Sequence, residues 1–569
     1  MKKWQIESKI KNQKSKIKSE ELIKILLANR GIKSKTEIDN FLNPKLSDVI
    51  CESVKIDGKQ LKKTLQRIKK AIKNNEKIII YGDYDVDGIC GTAILWETLN
   101  SLKSDVMPYI PSRFDEGYGL SVVGISNIKN KISNIKLIIT VDNGIVANEA
   151  IDFTNKHGID VIVTDHHVPP AGGSKKLPDA FSIIHTTLLS GAGVAYLLAK
   201  EISNFKFQIS NYSKILNTKY KIPDTHLELV ALATVADLVP LLGANRTLLK
   251  FGLESLRKTR RPGLLELFRK AQVEPQKIGT YEVGHIIAPR LNAMGRLSSA
   301  MDSLRLVCTT SKKRADDLSD ILTKTNLERQ QLTVDIVNHA KNKVKEKELK
   351  NLIFIASESY QQGIIGLVAG RLVEEYYLPS IVISKGEKFS KASARSVKGF
   401  NIVEFLREAS DLLVDVGGHP MAAGFTVETK NLELLEKKLF ASALKLIKKK
   451  HLERVLRIDL ELPKDLINLD TYYQIQKLTP FGMANPEPTF LTKNLIIESI
   501  RQVGNDGKHL KIELRIKNSE LRIGGIYFGA GDNNKFSIGD KVDVVYTLDE
   551  NIWNGNKRLQ LKIRDLRKN

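Results

Sequence analysis

The sequence has few of the residues that would cross-link the protein or anchor it in a membrane. It contains only three cysteines, Cys51, Cys90 and Cys308, and they are far apart. An odd number at such spacing builds neither a disulfide framework nor a zinc site, so we expect small buried side chains in a reduced protein. No stretch approaches the roughly 20 apolar residues of a membrane helix. No apolar run follows the basic N-terminus, which predicts no signal peptide and a cytoplasmic location.

Aromatic residues are also scarce, at 6% of the chain. If the protein binds single-stranded nucleic acid, we therefore expect charge to contribute more to binding than base stacking does. The chain has no P-loop pattern either, so we expect no use of ATP.

Positive charge is what the chain has in excess, with a formal net charge of +24. Such an excess indicates a polyanionic partner, such as nucleic acid. A lysine-rich proteome would produce the same excess without such a partner. The charge alone therefore leaves both interpretations open.

The pattern of apolar runs predicts several domains in 569 residues. Residues 1–55 have apolar positions at helical spacing and predict a helical lead-in. Continuous apolar strands alternate with helices over 56–309, which predicts a parallel sheet covered on both faces. Residues 310–350 predict one long connecting helix, 351–450 a second α/β domain, and 451–569 a small β-barrel or sandwich. The polar stretch 203–221 predicts a surface insertion.

Three aspartates, Asp83, Asp85 and Asp87, follow the first apolar strand at two-residue spacing. Carboxylates this close repel one another, and a divalent cation offsets that repulsion well. The alternative is a polar turn that caps the next helix. Such a turn has little need of three carboxylates behind a buried strand, so the cluster predicts a metal site.

The ends of the next two strands repeat this placement. Asp142 follows the second strand, and the third ends in Asp165, His166 and His167. Taken separately, Asp142 could be a turn residue, and His166 and His167 could be a buried pair. However, ligands in open α/β sheets gather at the carboxyl ends of the strands, so these strand ends predict one site. A histidine ligand favours a transition metal such as Mn²⁺ over Mg²⁺. Asp237 lies in an apolar stretch, where a carboxylate needs either a metal or an ion pair.

These side chains offer five carboxylates and one or two imidazoles, enough ligands for two metal ions. Two ions about 3.5–4 Å apart activate a water and stabilise the attacking and leaving oxygens of a phosphoryl centre. No cysteine ligands and no serine nucleophile elbow compete for the site. The pattern predicts metal-dependent phosphodiester hydrolysis with two divalent ions, Mn²⁺ preferred or Mg²⁺.

The combined motifs resemble the DHH phosphoesterase superfamily. They comprise residues 81–88 (YGDYDVDG), Asp142, the Asp-His-His triplet and Asp237. Further segments resemble the RecJ family of single-strand-specific exonucleases, in the family's order from about residue 56 to the end. These are 110–120 (IPSRFDEGYGL), 288–296 (APRLNAMGR), 363–369 (GIIGLVA), 393–396 (SARS), 417–424 (GGHPMAAG) and 480–488 (PFGMANPEP).

The resemblance implies a role for each matching residue. The metal shell would consist of Asp83, Asp85, Asp87, Asp142, His166 and Asp237. Asp142 would bridge the two ions, whereas Asp83 could instead orient the other ligands or a water. His167 would face the scissile phosphate. The residues expected to hold DNA phosphates are Arg113, Arg290, Arg296, Ser393, Arg395 and His419. Ordinary surface ion pairs are the alternative for each arginine.

The resemblance also implies an architecture and an activity. A DHH domain would be joined by the 310–350 helix to a DHH-associated domain, with an OB-fold domain over 451–569. The two α/β lobes would enclose a groove that admits one strand. The implied activity releases nucleoside 5′-phosphates from the 5′ end of single-stranded DNA, in recombination and repair. We expect a monomer, with a helicase and a single-strand-binding protein as candidate partners that the sequence does not identify.

Two other functions remain as alternatives. A related enzyme could cleave oligoribonucleotides or cyclic dinucleotides, although such substrates need neither a β domain nor a high positive charge. A non-catalytic scaffold could keep the fold, but it should have lost ligands, and all six proposed ligands are present.

The sequence departs from the family pattern at three places. Tyr360-Gln361 stands where the family usually has Trp-His, and His185-Thr186 stands where it usually has Asn-Pro. Gly243 lies where an acidic residue is usual. None of these changes removes a proposed metal ligand, so they bear on strand contact and rate.

Overall fold

The computed structural model describes residues 2–8, 19–169, 177–206, 226–346, 350–516, 522–533, 535–553 and 555–569. The polar insertion expected at 203–221 lies outside these ranges except for the end of a helix at Lys206. The chain divides into two compact units. Unit 1 comprises Met1–Val54, Leu238–Leu253 and Val455–Asn569, and unit 2 comprises Lys55–Asp237 and Glu254–Arg454.

The α-helices of the described ranges are, in chain order, α1 (Ser19–Ala28), α2 (Lys35–Leu42), α3 (Gly58–Lys73), α4 (Val86–Ser101), α5 (Val122–Lys131), α6 (Asn148–Lys156), α7 (Gly191–Lys206), α8 (Leu227–Ala236), α9 (Gly243–Arg257), α10 (Pro262–Lys270), α11 (Ala288–Leu297), α12 (Met301–Cys308), α13 (Lys312–Glu346), α14 (Ile365–Tyr376), α15 (Ile402–Arg407), α16 (Leu432–Leu446) and α17 (Leu469–Gln476).

The β-strands of the same ranges are, in chain order, β1 (Lys3–Ser8), β2 (Lys77–Tyr81), β3 (Val106–Tyr109), β4 (Ile135–Thr140), β5 (Asp160–Asp165), β6 (Ser182–His185), β7 (Ile353–Ser357), β8 (Ser380–Ser384), β9 (Phe389–Arg395), β10 (Leu413–His419), β11 (Ala422–Glu428), β12 (Val455–Glu461), β13 (Phe490–Val503), β14 (His509–Ile516), β15 (Arg522–Tyr527), β16 (Lys541–Trp553) and β17 (Asn556–Lys568).

The first lobe of unit 2 is built on the predicted parallel sheet. Its strand order is β3-β2-β4-β5-β6, and every neighbouring pair is parallel. The continuous apolar runs arise because both faces are buried; on one face, Ile79, Ile138 and Val161 pack with residues of α5 and α6. The carboxyl ends of β2, β4 and β5 therefore share one edge, as the sequence predicted.

The second lobe of unit 2 follows the long connecting helix, α13. Its sheet has the order β10-β11-β9-β8-β7, in which β7 and β8 are parallel and the other pairs are antiparallel. The glycine-rich residues 417–419 form the end of β10. Gly418 has φ +137°, and a Cβ there would lie 2.4 Å from the carbonyl oxygen of Ala422. The glycine therefore allows the close approach of two strands, and the turn itself follows at Pro420 and Met421.

Unit 1 contains the expected barrel of the OB type. The strands run β13-β14-β15-β17-β16, and β16 pairs back onto β13 to close the barrel. The expectation that residues 1–55 are helical is only partly correct, because β1 pairs in parallel with β12, with Trp4 opposite Leu456. Trp4 and Ile6 pack on a small separate core that includes Val545. A six-residue alternation of this kind depends on its tertiary partner and is easily overlooked beside the helical pattern that follows.

Arg246 is the largest fully buried side chain of the described ranges and lies in unit 1. Its guanidinium donates to the carbonyl oxygens of Phe41 at 3.0 Å, Leu478 at 2.9 Å and Thr479 at 2.7 Å. It also lies 3.7 Å from the centre of the Phe41 ring. Burial lowers the pKa of Arg246 to about 10, so the side chain remains charged at neutral pH. One cation thus joins the end of α2 to the segment that follows α17.

We predict that Arg246→Met lowers the free energy of unfolding by about 3 kcal/mol, because several buried carbonyl groups lose a charged donor. Urea titration of the full chain provides the measurement. Arg457→Met is the control, since Arg457 lies on β12 with a side chain that is 62% exposed. Equal midpoints for wild type and the Arg246 variant would contradict the anchoring role.

Candidate metal centre and arginine pocket

The aspartates after β2 are fixed by main-chain donors. Asp85 Oδ1 caps α4 by accepting from the N–H groups of Asp87 at 2.9 Å and Gly88 at 3.1 Å. The two oxygens of Asp87 each accept from an N–H at the start of α7, from Gly191 and Ala192, both at 2.7 Å. The capping alternative is thus correct for one oxygen of Asp85. A carboxylate has about four lone-pair sites, so capping leaves capacity for a metal.

Asp142 has an unusual backbone conformation at the end of β4. Its φ is +64°, and its N–H donates to the carbonyl oxygen of Thr164 at 3.0 Å. Gly191 lies against the Asp142 side chain, because a Cβ on that glycine would be 2.6 Å from Asp142 Cβ and 2.7 Å from Asp142 Oδ1. A strained, tightly enclosed acidic residue is typical of a functional site.

His166 lies among carboxylates from three elements. Its Nε2 is 3.1 Å from Asp142 Oδ1, 3.6 Å from Asp237 Oδ2 and 3.7 Å from Asp87 Oδ2. Asp237 is the C-cap residue that directly follows α8. Side chains that are distant in the sequence therefore direct oxygen and nitrogen lone pairs into the same space.

The candidate ligands form three overlapping groups whose donor atoms lie within 4.8 Å of one another. They are Asp83, Asp85 and Asp142; Asp87, His166 and Asp237; and Asp142, His166 and His167. Among the residues that the structure describes, Asp83 Oδ1 and Asp142 Oδ1 are buried without a hydrogen-bond donor. Buried acceptors without donors, in a set of carboxylates and imidazoles, suit divalent cations.

Burial strongly affects the protonation of the cluster. It raises the pKa of Asp83, Asp87 and Asp142, and the neighbouring carboxylates Asp85 and Asp87 add to the rise for Asp83 and Asp142 respectively. Burial and then the charge of Asp87 raise the pKa of Asp237 to about 8. Burial lowers the pKa of His166, which keeps its ring neutral and able to coordinate a metal.

His167 behaves differently from His166 because of Asp165. Burial alone would lower the pKa of His167, but the hydrogen bond from Nδ1 to Asp165 Oδ1, at 2.8 Å, outweighs it and raises the pKa to about 9. Asp165 Oδ1 also accepts from the main-chain N–H groups of His166 and His167. His185 Nε2 donates to the carbonyl oxygen of His167 at 2.7 Å, so one departure from the family pattern supports this loop.

Arginines gather beside the metal centre within unit 2. Arg113 lies 3.9 Å from the centre of the Tyr84 ring and donates to the carbonyl oxygen of Gly295 at 2.9 Å. Arg296 donates to the carbonyl oxygen of Gly363 at 3.2 Å. Burial and the charges of Arg113, Arg329 and Arg395 lower the pKa of Arg296 to about 10. None of these four arginines forms an ion pair within the described ranges, which indicates a pocket for an external anion.

The second lobe contributes polar side chains that the sequence predicted. Arg395 Nη1 donates to Ser393 Oγ at 2.9 Å. A Cβ at Gly366, near the start of α14, would lie 2.9 Å from Arg395 Nη2 and 3.1 Å from Ser393 Oγ. His419 lies parallel to His167 with 6.1 Å between ring centres, so a second-lobe side chain reaches the metal centre.

Arg290 lies in a second group of arginines, together with Arg329 and Arg371. Its Nη1 donates to the carbonyl oxygen of Ile286 at 2.6 Å, and its Nε is buried without an acceptor among the described residues. Burial lowers the pKa of Arg329, and the charges of Arg371 and Arg290 lower it further.

Sequence reasoning missed two contributors to these sites and undervalued a third. It gave no role to Asp165, although its place before the histidine pair was a signal. It placed Tyr118 only within a resembling segment, whereas Tyr118 Oη lies 3.2 Å from His167 Nε2. It overlooked Arg329, because one arginine in a highly charged helix carries no distinguishing signal.

Three family models match successive parts of the chain. The model of the DHH family, N-terminal domain, matches residues 77–234, that of the DHHA1 domain matches 333–448, and that of the RecJ OB domain matches 458–565. The single-stranded-DNA-specific exonuclease RecJ of Bacillus subtilis is 34% identical over 99% of this chain and 70% of its own length.

Solved structures of RecJ are also similar to this chain. The crystal structure of RecJ from Thermus thermophilus in complex with Mn²⁺ has a TM-score of 0.79 at 28% identity, and covers 96% of this chain and 75% of that one. The complex of the same protein with Mg²⁺ has a TM-score of 0.74 at 27% identity, with the same coverage.

We predict that Asp237→Asn stabilises the metal-free protein increasingly as the pH rises from 4 to 8. The folded state holds the pKa of Asp237 at about 8, above the ordinary value of 3.8. The wild type therefore loses stability as the pH rises through that interval, and the amide does not. At pH 8 we expect a gain of roughly 1–3 kcal/mol by urea titration in EDTA.

Asp152→Asn, at an exposed position of α6, is the control and should change little. A loss of stability for Asp237→Asn at pH 8 would contradict carboxylate repulsion as the dominant effect.

Proposed function

Because this chain belongs to the RecJ family of single-stranded-DNA-specific exonucleases, we propose that it removes nucleotides from the 5′ end of single-stranded DNA at the candidate metal centre. The chain is a metal-dependent exodeoxyribonuclease, and Mn²⁺ or Mg²⁺ is its cofactor. The observation that carries the site assignment is the convergence of five aspartates and His166 at one sheet edge, with buried oxygens that lack donors.

The proposed chemistry divides among the side chains of the first lobe. Asp83, Asp85, Asp87, Asp142, His166 and Asp237 would hold two metal ions, with Asp142 shared. When bound, such ions supply a hydroxide nucleophile and stabilise the charge on the phosphoryl oxygens. The protonated His167, oriented by Asp165, presents positive charge to the scissile phosphate. The main-chain N–H groups of Gly191 and Ala192 fix the orientation of the Asp87 carboxylate.

The arginine pocket would select the DNA end. Arg113, Arg296 and Arg395 are charged groups without carboxylate partners in the described chain, and a terminal phosphate can accept two parallel hydrogen bonds from a guanidinium. Ser393 offers a hydroxyl to the remaining phosphate oxygens, and Gly366 lacks the Cβ that would crowd Arg395 Nη2 and Ser393 Oγ. A 5′-phosphate held in this pocket would place a nearby phosphodiester at the metal centre, which gives stepwise release of nucleoside 5′-phosphates.

The proposal extends to the cellular setting. No helix in the described ranges is long and apolar enough to cross a membrane. We place the enzyme in the cytoplasm as a monomer that acts in recombination and repair. A helicase would expose its substrate strand, and a single-strand-binding protein would keep that strand open.

We predict that Asp142→Ala reduces hydrolysis at least a thousandfold, because it removes the carboxylate common to two ligand groups. Single-stranded DNA labelled at the 5′ or the 3′ end, with and without Mn²⁺, provides the measurement. Wild type should release the 5′ label first as a mononucleotide, and the variant should still bind DNA.

Full activity of Asp142→Ala with Mn²⁺ would contradict the metal assignment. Early release of the 3′ label would contradict the polarity. Dinucleotides cleaved as fast as long DNA would favour the small-substrate alternative.

We predict that Arg395→Gln raises KM for 5′-phosphorylated DNA about tenfold or more, because a charge-assisted contact to phosphate is lost. DNA with a 5′-hydroxyl should be affected much less. Arg407→Gln is the control, since Arg407 is exposed on α15 and pairs with Glu404 at 2.6 Å. An equal effect on the two DNA ends would show that Arg395 does not read the terminal phosphate.

A further inference from the structure

Two helices of the first lobe each carry an acidic residue near both ends. Asp87 lies in the first turn of α4, and Glu97 lies ten residues later. Glu228 lies in the first turn of α8, and Asp237 is the C-cap of that helix. With a rise of about 1.5 Å per residue, the acidic residues of each helix are roughly 14–15 Å apart. The helices pack against each other, and Asp87 and Asp237 meet beside His166.

Arg261 connects the opposite ends of the same helices. It precedes α10 and makes a two-point contact with Glu97, from Nη1 to Oε1 at 2.6 Å and from Nη2 to Oε2 at 2.8 Å. Its Nε donates to Glu228 Oε1 at 2.5 Å, and its Nη1 also donates to the carbonyl oxygen of Val307 at 3.0 Å. One planar cation thereby fixes α4, α8 and α12.

The contacts of Arg261 with Glu97 and Glu228 are largely buried. The side chains of Arg261 and Glu228 are 14% and 8% exposed. His226 Nε2 lies 3.0 Å from Glu97 Oε2, so a residue adjoining α8 makes a second contact with α4. Burial opposes ionisation of Glu97, but the hydrogen bonds from Arg261 and His226 outweigh it and lower its pKa to about 2. The contact therefore remains ionic throughout the range in which the enzyme would work.

A helix transmits an axial shift along its length because each turn is hydrogen-bonded to the next. If α8 slid along α4, the Arg261 contacts at one end and the spacing of Asp87 and Asp237 at the other would change together. We propose that Arg261 is a positioning residue that sets the separation of Asp87 and Asp237 by holding α4 and α8 in register. This inference rests on the proposed function, since it takes both aspartates as metal ligands.

Arg67 provides a matched comparison within the same unit. It is also buried, with Nε 2.5 Å from Asp160 Oδ2, Nη1 2.7 Å from Glu76 Oε2, and Nη2 donating to the carbonyl oxygen of Lys136 at 3.1 Å. It joins α3 to the first residue of β5, which lies at the sheet edge opposite the metal centre. Replacing Arg67 removes a comparable set of contacts and leaves the register of α4 and α8 unchanged.

The test compares full-length Arg261→Met and Arg67→Met by titration with Mn²⁺, with free Mn²⁺ measured by electron paramagnetic resonance. We expect Arg261→Met to weaken Mn²⁺ binding at least tenfold, because loss of a group that orients metal ligands typically costs about 10–100-fold in affinity. Arg67→Met should bind Mn²⁺ like wild type despite a similar loss of stability in urea. Arg261→Lys, which keeps the charge, should recover part of the affinity. KM for DNA at saturating Mn²⁺ should stay within about twofold of wild type.

Unchanged Mn²⁺ affinity in Arg261→Met, or equal weakening in Arg261→Met and Arg67→Met, would overturn the inference. If Arg261→Met does not fold, Glu228→Gln replaces it, because that variant keeps the contact with Glu97. It should weaken Mn²⁺ binding about threefold, and wild-type affinity in it would likewise overturn the inference. Failure of the wild type itself to bind Mn²⁺ would instead contradict the proposed function.

Discussion

Mutual repulsion among buried carboxylates is the constraint on which the active lobe depends. The parallel sheet places Asp83, Asp85 and Asp142 at one edge, and packing removes the water that would screen their charge. The surrounding structure holds them there nonetheless. Main-chain donors fix Asp85 and Asp87, and Asp142 keeps a left-handed backbone beside a glycine. Such an arrangement is costly in the metal-free protein and becomes favourable when cations bind.

The arginines of unit 2 differ in whether they are paired with carboxylates. Arg261 and Arg67 are each surrounded by carboxylates, and they hold elements of the fold together. In the described chain, Arg113, Arg296 and Arg395 have main-chain or hydroxyl acceptors but no carboxylate. Their uncompensated charge lies beside the carboxylate cluster, and a substrate phosphate together with metal ions would neutralise both. Net charge alone, at +24, did not distinguish these two kinds of arginine.

The sequence predicted those parts of the molecule that local patterns determine. Apolar runs located β2, β4 and β5, and the acidic residues after them located the candidate centre. The resemblance then supplied the second-lobe residues Ser393, Arg395 and His419. Features that depend on tertiary partners were missed. β1 forms because it pairs with β12, and residue 418 is a glycine because β11 lies too close for a Cβ. Asp165 accepts a hydrogen bond from the ring of His167, and no spacing rule indicates that contact.

In the proposed metal centre, one sheet edge would hold two metal ions, and Asp142 would contribute to both sites. Anomalous diffraction at the manganese edge, from crystals soaked in Mn²⁺, measures this directly. We expect two peaks roughly 3.5–4 Å apart, one beside Asp83 and Asp85 and the other beside Asp87, His166 and Asp237, with Asp142 in contact with both. A single peak, or peaks away from Asp142, would contradict a two-metal centre at this sheet edge.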